Sequence, residues 1–245
     1  MAPSRLWPIY EWFIRHAAGL GRAPVRGDPD RYEAMNIHCD VLIVGGGPSG
    51  LAAAVAAGQT GARVILADEQ NEFGGALLGG GDEIDGAPAL DWVVQTICEL
   101  ESLSEVTILP RTTVFGYFNH NFLTAVERVT DHLPPNTSDL PRQRLWKIRA
   151  RQVILCTGAI ERPLVFPNND RPGIMTASSV STYINRYSVK PGSLAVLFTN
   201  NDGAYQTALD LSKAGVQVPS SFAPFMESRS MCAQSSRSTS ITPQR

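Results

Sequence analysis

The chain has 245 residues, 43% apolar and 18% charged, which is enough for one or two globular domains with a substantial core. Its formal net charge of −2 leaves no electrostatic case for a nucleic acid or an anionic membrane as partner. The cysteines Cys39, Cys98, Cys156 and Cys232 are scattered, with no C-x-x-C pair. That excludes a local redox disulfide motif and a zinc ribbon, and reads as reduced thiols in a cytoplasmic protein.

The first predicted element is an amphipathic helix over 9–20, ended by Gly21. The apolar run Leu6-Trp7-Pro8-Ile9-Tyr10 is followed by Glu11, Arg15 and His16, so it fails as a membrane span and as a signal-peptide core. Residues 21–38, rich in proline, glycine and charge, read as a connector.

The strongest pattern lies in 39–75. Val41-Leu42-Ile43-Val44 runs into Gly45-Gly46-Gly47-Pro48-Ser49-Gly50. The helix Leu51-Ala52-Ala53-Ala54-Val55-Ala56-Ala57 follows, and a second apolar run, Val64-Ile65-Leu66-Ala67, ends at Asp68-Glu69. This is a βαβ unit patterned to hold a dinucleotide. Gly45 serves the sharp turn, Gly47 leaves room for a pyrophosphate, and Gly50 lets the helix pack close to the strand. The phosphates then sit at a helix N-terminus, where unpaired N–H groups and the macrodipole favour anions. Ser49 has two equal readings, a phosphate donor or simply a helix-starting residue. Asp68 stands 18 residues after Gly50, where the pattern expects an acid for the ribose hydroxyls. A carboxylate there repels a 2′-phosphate, which favours FAD or NAD over NADP. Glu69 competes for the role but reads more readily as a solvated loop carboxylate.

Beyond this unit come Phe73-Gly74-Gly75 and a glycine-rich loop through Gly81, then a helix over 89–103 with Leu90, Val93, Val94, Ile97 and Leu100 at helical spacing. The period then changes. Residues 106–109 read as a strand, and 112–117, 122–129 and 145–148 as antiparallel strands. Residues 152–156 read as a separate strand of buried type, stopping at Thr157-Gly158-Ala159. A second βα unit starts at 194–198 and continues through a helix to Lys213. Its loop places Thr199, Asn201 and Ala204 where the first unit has glycines, and Asp202 adds negative charge. That second site either binds nothing or holds its ligand differently. The fold expected is therefore α/β: a Rossmann-type dinucleotide-binding domain with an antiparallel β-meander, and an incomplete second Rossmann unit.

Several stretches resemble the α subunit of heterotetrameric sarcosine oxidase. They are residues 10–24, Asp68-Glu69-Gln70-Asn71-Glu72-Phe73-Gly74-Gly75, Pro110-Arg111-Thr112-Thr113-Val114-Phe115-Gly116, residues 126–133, Thr157-Gly158-Ala159-Ile160-Glu161-Arg162-Pro163 and Thr199-Asn200-Asn201-Asp202. Two-dinucleotide flavoproteins of the thioredoxin- and glutathione-reductase type share the meander. In them a Gly-Gly pair like Gly74-Gly75 lines the dinucleotide, and a turn like Thr157-Gly158 returns the chain beside it. The resemblance implies a part of an enzyme that demethylates sarcosine oxidatively to glycine, with its amine-oxidising flavin elsewhere in the complex. It also implies a fragment, because the family's N-terminal ferredoxin-like domain and C-terminal folate domain have no counterpart here.

The domain reading is an N-terminal helix and linker (1–38), the FAD- or NAD-binding domain with its meander (39–160), a partial second unit (161–218), and a disordered tail (219–245). No catalytic constellation and no metal-ligand spacing are visible, so the chemistry belongs to the cofactor. Glu161-Arg162 reads as a solvated ion pair or as a contact to a partner subunit. Three functions compete: the dinucleotide-binding part of a sarcosine-oxidase-like complex with partner subunits, a stand-alone FAD oxidoreductase acting on another amine or opine, and a non-catalytic dinucleotide-binding fragment.

Overall fold

The computed structural model describes residues 6–21, 27–134 and 139–219, and the backbone of 221–222. Helix α1 (Trp7–Ala17) begins two residues earlier than its pattern suggested, because Pro8 is preorganised for a first turn. It ends before Gly19, which adopts φ +66°. None of its side chains is buried.

Strand β1 (Tyr32–Val44) absorbs the second half of the expected connector. It is followed by α2 (Pro48–Gly58), β2 (Val64–Ala67), a short 3₁₀ turn at Gly75–Leu78, the hairpin of β3 (Glu83–Ile84) and β4 (Ala87–Pro88), and α3 (Ala89–Ser102). Then come β5 (Val106–Leu109), β6 (Thr112–Phe118), β7 (Phe122–Arg128) and β8 (Gln143–Leu155). Helix α4 (Ala177–Asn185), β9 (Leu197–Phe198), α5 (Gly203–Lys213) and β10 (Ser221–Phe222) complete the order. Among the described residues no helix is long and apolar enough to cross a membrane.

The main sheet is mixed and has the order β5-β2-β1-β8-β7-β6. Its first four strands are parallel, and β7 and β6 run antiparallel. The two outermost strands, β5 and β6, are joined by Pro110 and Arg111 alone, so the sheet must curl until its ends meet. One core lies inside that curl, around Leu42, Ile65, Leu123, Trp146 and Ile148. The other lies on the opposite face, where α2 and α3 pack Leu51, Ala54, Val93 and Leu100 against Ile43, Val64 and Leu66.

Two expected strands, 145–148 and 152–156, are one. β8 pairs with β1 from Gln143 to Leu155, and through its first half also with β7. The boundary drawn at 38/39 therefore falls inside β1. Residues 32–38 lack a continuous apolar run, and their strand character comes from partners more than a hundred positions away. Arg144 joins Glu33 at 3.1 Å and Glu127 at 3.0 Å, and Glu127 also accepts the indole N–H of Trp146 at 2.8 Å. The last residues of β8 are not buried as their run suggested. The pairing with β7 stops at Arg149, which leaves Ile154 and Leu155 exposed.

The second unit is small. Its core comprises Leu197, Ala204, Leu211 and Val216, with Val180 and Ile184 packed against them. Helix α4, absent from the expected elements, lies against α5. The expected strand 194–198 is reduced to Leu197–Phe198, paired in parallel with Ser221–Phe222, plus a bridge from Leu194 to Gln217. Ser221–Phe222 thus form a strand inside the segment expected to be irregular. That expectation otherwise lies, beyond Pro219, outside the described residues.

Candidate functional site

The site is assembled where β1 ends. Gly45 turns the chain at φ +104°, and its N–H bonds the carbonyl of Ala67 at 2.8 Å. A Cβ at Gly45 would collide with the backbone carbonyl of Cys156 and stand 3.1 Å from the Thr157 nitrogen. A Cβ at Gly50 would collide with the Gly45 carbonyl oxygen. Both glycines are therefore required by close packing of α2, β1 and the end of β8, whether or not a ligand is bound.

Gly47 differs. It has ordinary extended backbone at φ −73°, and a Cβ there would meet nothing nearer than the Gly75 Cα at 3.9 Å. A Cβ would fit there at ordinary van der Waals distance. Pro48 at the first helical position has no N–H, and those of Ser49 and Gly50 lie in the first turn, with no carbonyl of their own helix to bond. Ser49 is exposed.

Asp68 is half-buried at the end of β2. One carboxylate oxygen accepts the Gly46 N–H and the other the Gln70 N–H at 2.7 Å. It braces the glycine loop directly, a role its position alone did not reveal. Glu69 is exposed, and its backbone carbonyl accepts a bond from the Arg128 guanidinium. Of the two acids, Asp68 is the one against the loop.

Gly74 and Gly75 are brought to the same place. The Gly74 N–H bonds the Gly46 carbonyl at 2.8 Å, and Gly74 sits at φ +125°, which a side chain rarely adopts. A Cβ on Gly75 would stand 2.8 Å from the Gly47 Cα. Phe73, 8% exposed, lays its ring over Gly46, where an added Cβ would collide with it. Periodicity gave Phe73 no role. The signal available was an aromatic residue in an otherwise polar stretch just before the Gly-Gly pair. Thr157 and Gly158 leave the end of β8 exposed, and the backbone at Cys156 and Thr157 adjoins Gly45. Gly45, Gly47, Gly50, Asp68, Gly74, Gly75 and Thr157 are thus brought together around the glycine loop, which makes this the candidate groove, while Glu69 and Gly158 follow Asp68 and Thr157 in the chain.

Glu161 is not a solvated ion pair. Its carboxylate accepts the N–H groups of Ala177 at 3.0 Å and Ser178 at 2.8 Å, capping α4 from outside the helix. Partial burial works to raise its pKa, but the hydroxyl and N–H of Ser178 and the N–H of Ala177 outweigh it and hold the carboxyl below the usual range.

In the second unit, the Thr199 hydroxyl bonds the Asn201 carbonyl at 2.9 Å, and Asn201 Oδ1 accepts the Gly203 N–H at 2.9 Å. Side chains occupy the start of α5 where the first unit presents bare backbone. A cavity of about 690 Å³ lies beside this unit, with Glu161, Phe166, Thr199 and Asn201 in its wall. It is lined by none of the residues that converge on Gly47. Among the described residues, no group of three or more His, Cys, Asp or Glu is placed to hold a metal ion.

Residues 40–113 match the family of FAD dependent oxidoreductases. The chain is 51% identical over 219 residues to the alpha subunit of sarcosine oxidase from Rhizobium meliloti (strain 1021), an alignment that covers 89% of this chain and 22% of that relative. It is 30% identical over 182 residues to an opine oxidase subunit from Agrobacterium tumefaciens (strain Ach5), covering 72% and 35%. Among solved structures, L-proline dehydrogenase from P. horikoshii shares the fold at a TM-score of 0.62 and 23% identity, over 82% of this chain and 38% of that one. The chain spans about a fifth of the length of the sarcosine oxidase alpha subunits it matches.

Proposed function

We propose that this chain, a homologue of the sarcosine oxidase alpha subunit with an FAD-dependent oxidoreductase domain, is the dinucleotide-binding part of a sarcosine-oxidase-like complex. It holds FAD or NAD in the groove at Gly47 and is inactive alone. The observation that carries the reading is the contrast between Gly47 and its neighbours. Around it, a Cβ on Gly45, Gly46, Gly50 or Gly75 would collide with protein atoms, whereas one on Gly47 would meet only the Gly75 Cα, at an ordinary contact distance of 3.9 Å.

The residues present fit a dinucleotide. The N–H groups of Ser49 and Gly50 at the start of α2 receive the pyrophosphate. Asp68 faces the ribose, and Gly74 and Gly75, beside Gly46 and Gly47, line the dinucleotide. Thr157 and Gly158 flank the far side. A bound flavin or nicotinamide supplies the two-electron chemistry. The chain itself binds and orients, because no side chains of the described region form a nucleophile–base pair at the groove. The substrate, sarcosine, and the partner subunits follow from the stronger of the two similarities. The 30% identity to an opine oxidase subunit favours a second reading, a related oxidase acting on an opine.

The test is to release the nucleotide from purified chain and identify it by mass spectrometry. FAD or NAD is expected from the wild type and neither from Gly47→Val, whose branched side chain would occupy the space proposed for the pyrophosphate beside Gly75. Sarcosine should yield no peroxide with the chain alone. Equal nucleotide content in both proteins, or sarcosine-dependent peroxide from the isolated chain, would overturn the proposal.

A further inference from the structure

Helix α4 links the stretch after Gly158 to the glycine-rich loop after Gly75. Its N-terminus is held by Glu161, three residues beyond the Gly158 turn. Its C-terminus reaches the glycine-rich loop. Asn185 donates to the Gly79 carbonyl at 3.1 Å, and Arg186, just past the helix, pairs with Glu72 at 2.6 Å. Gly79 itself lies tight against α4, since a Cβ there would crowd Thr182.

Asn185 is in turn fixed by Asp210, a carboxylate only 3% exposed. Its oxygens accept from Asn185 at 3.1 Å, the Ser181 hydroxyl at 3.0 Å and Gln206 at 3.2 Å. A buried carboxylate met by three donors orients those donors strongly. The Asn185 amide is therefore locked with its remaining reach aimed at Gly79. The loop it holds runs back to Gly74, which bonds Gly46.

We infer that Asn185, oriented by Asp210, is a positioning residue for the Gly74–Gly79 loop, and that α4 is the strut through which the second unit sets the geometry of the dinucleotide groove. The inference rests on the reading of that groove as a dinucleotide site. It assigns the second unit a role that does not depend on a ligand of its own.

Hydrogen exchange on the full chain reads the strut without ligand. In Asn185→Leu, exchange of the Gly74, Leu77 and Gly79 amides should rise about tenfold, the equivalent of one lost hydrogen bond. The Gly45 and Cys156 amides, bonded to Ala67 and Val44, should keep their wild-type rates. Glu72→Gln, a change at an exposed side chain, should give a smaller rise at the same three amides and guards against a folding defect in the first variant. With FAD and NAD as probes, calorimetry should show about tenfold weaker binding in Asn185→Leu. Loop exchange unchanged in both variants would overturn the strut. Faster loop exchange with unaltered affinity would overturn its link to the groove. If the wild type binds neither probe, the groove reading fails by itself, while the exchange data still decide whether Asn185 holds the loop.

Discussion

Two strand-to-helix crossings in this molecule have the same topology and opposite local chemistry. At 41–50 the loop is bare backbone, and α2 lies close enough on β1 to bury Gly50, Leu51 and Ala54. At 196–204 the loop carries Thr199 and Asn201, whose side chains bond the turn and the start of α5. The first strand is central in a six-stranded sheet, with Leu42 and Ile43 fully buried. The second pairs with one short strand and leaves Phe198 47% exposed. A helix N-terminus is an anion site only while its N–H groups have no partner within the protein. The same framework thus leaves bare backbone in one place and a turn bonded by its own side chains in the other.

The comparison breaks most visibly at the packing glycine. Gly50→Val should destabilise the first unit by about 3 kcal/mol or more, because its side chain would meet the Gly45 carbonyl and backbone must move. The matching position already carries a side chain, in Ala204, and Ala204→Gly should cost only about 1 kcal/mol, largely helix propensity. Thermal melts of the two variants compare them directly. Equal shifts would mean that the two crossings are packed alike.

Asp68 sharpens the contrast from the ligand side. Asp68→Ala should narrow the preference for NAD over NADP by about 1–4 kcal/mol, the repulsion of a nearby 2′-phosphate in a partly solvated site. It should also lower stability by about 1–3 kcal/mol, since the N–H groups of Gly46 and Gln70 lose their acceptor. Competitive titration of the two nucleotides separates these effects. An unchanged preference would assign the discrimination to Glu69 or another group.

The smallest effect belongs to the second unit. Glu161→Ala should cost about 0.5–1 kcal/mol, the low end for a helix cap, because the carboxylate is exposed to solvent. The folded-state pKa of Glu161 is depressed, so its contribution is fully present above the ordinary glutamate value and is lost as pH falls through the folded value. Wild type and variant should therefore differ in stability at neutral pH and converge in acid. A constant difference across that range would show that the cap does not depend on charge.

The sequence alone determined the parts whose cause is local. The turn at Gly45, the helix after it, Asp68 at the end of β2 and the small-residue packing of α2 follow from residue type and spacing within one βαβ unit, and each lies where its pattern put it. Only the tertiary structure decided the rest. Residues 32–38 are strand because Arg144 and Trp146 stand opposite them, and β8 is one strand because β1 runs beside its whole length. Asp68 braces Gly46 because folding carries β2 next to β1. Glu161 caps a helix 16 residues away, and Asn185 meets Gly79 across 106 positions. Periodicity and caps report interactions between neighbours in sequence. A polar side chain whose partner is a distant backbone group leaves no period to read, which is why the contacts of Glu161 and Asn185 emerged only from the fold, although Ala177, Val180 and Ile184 of α4 do recur at helical spacing.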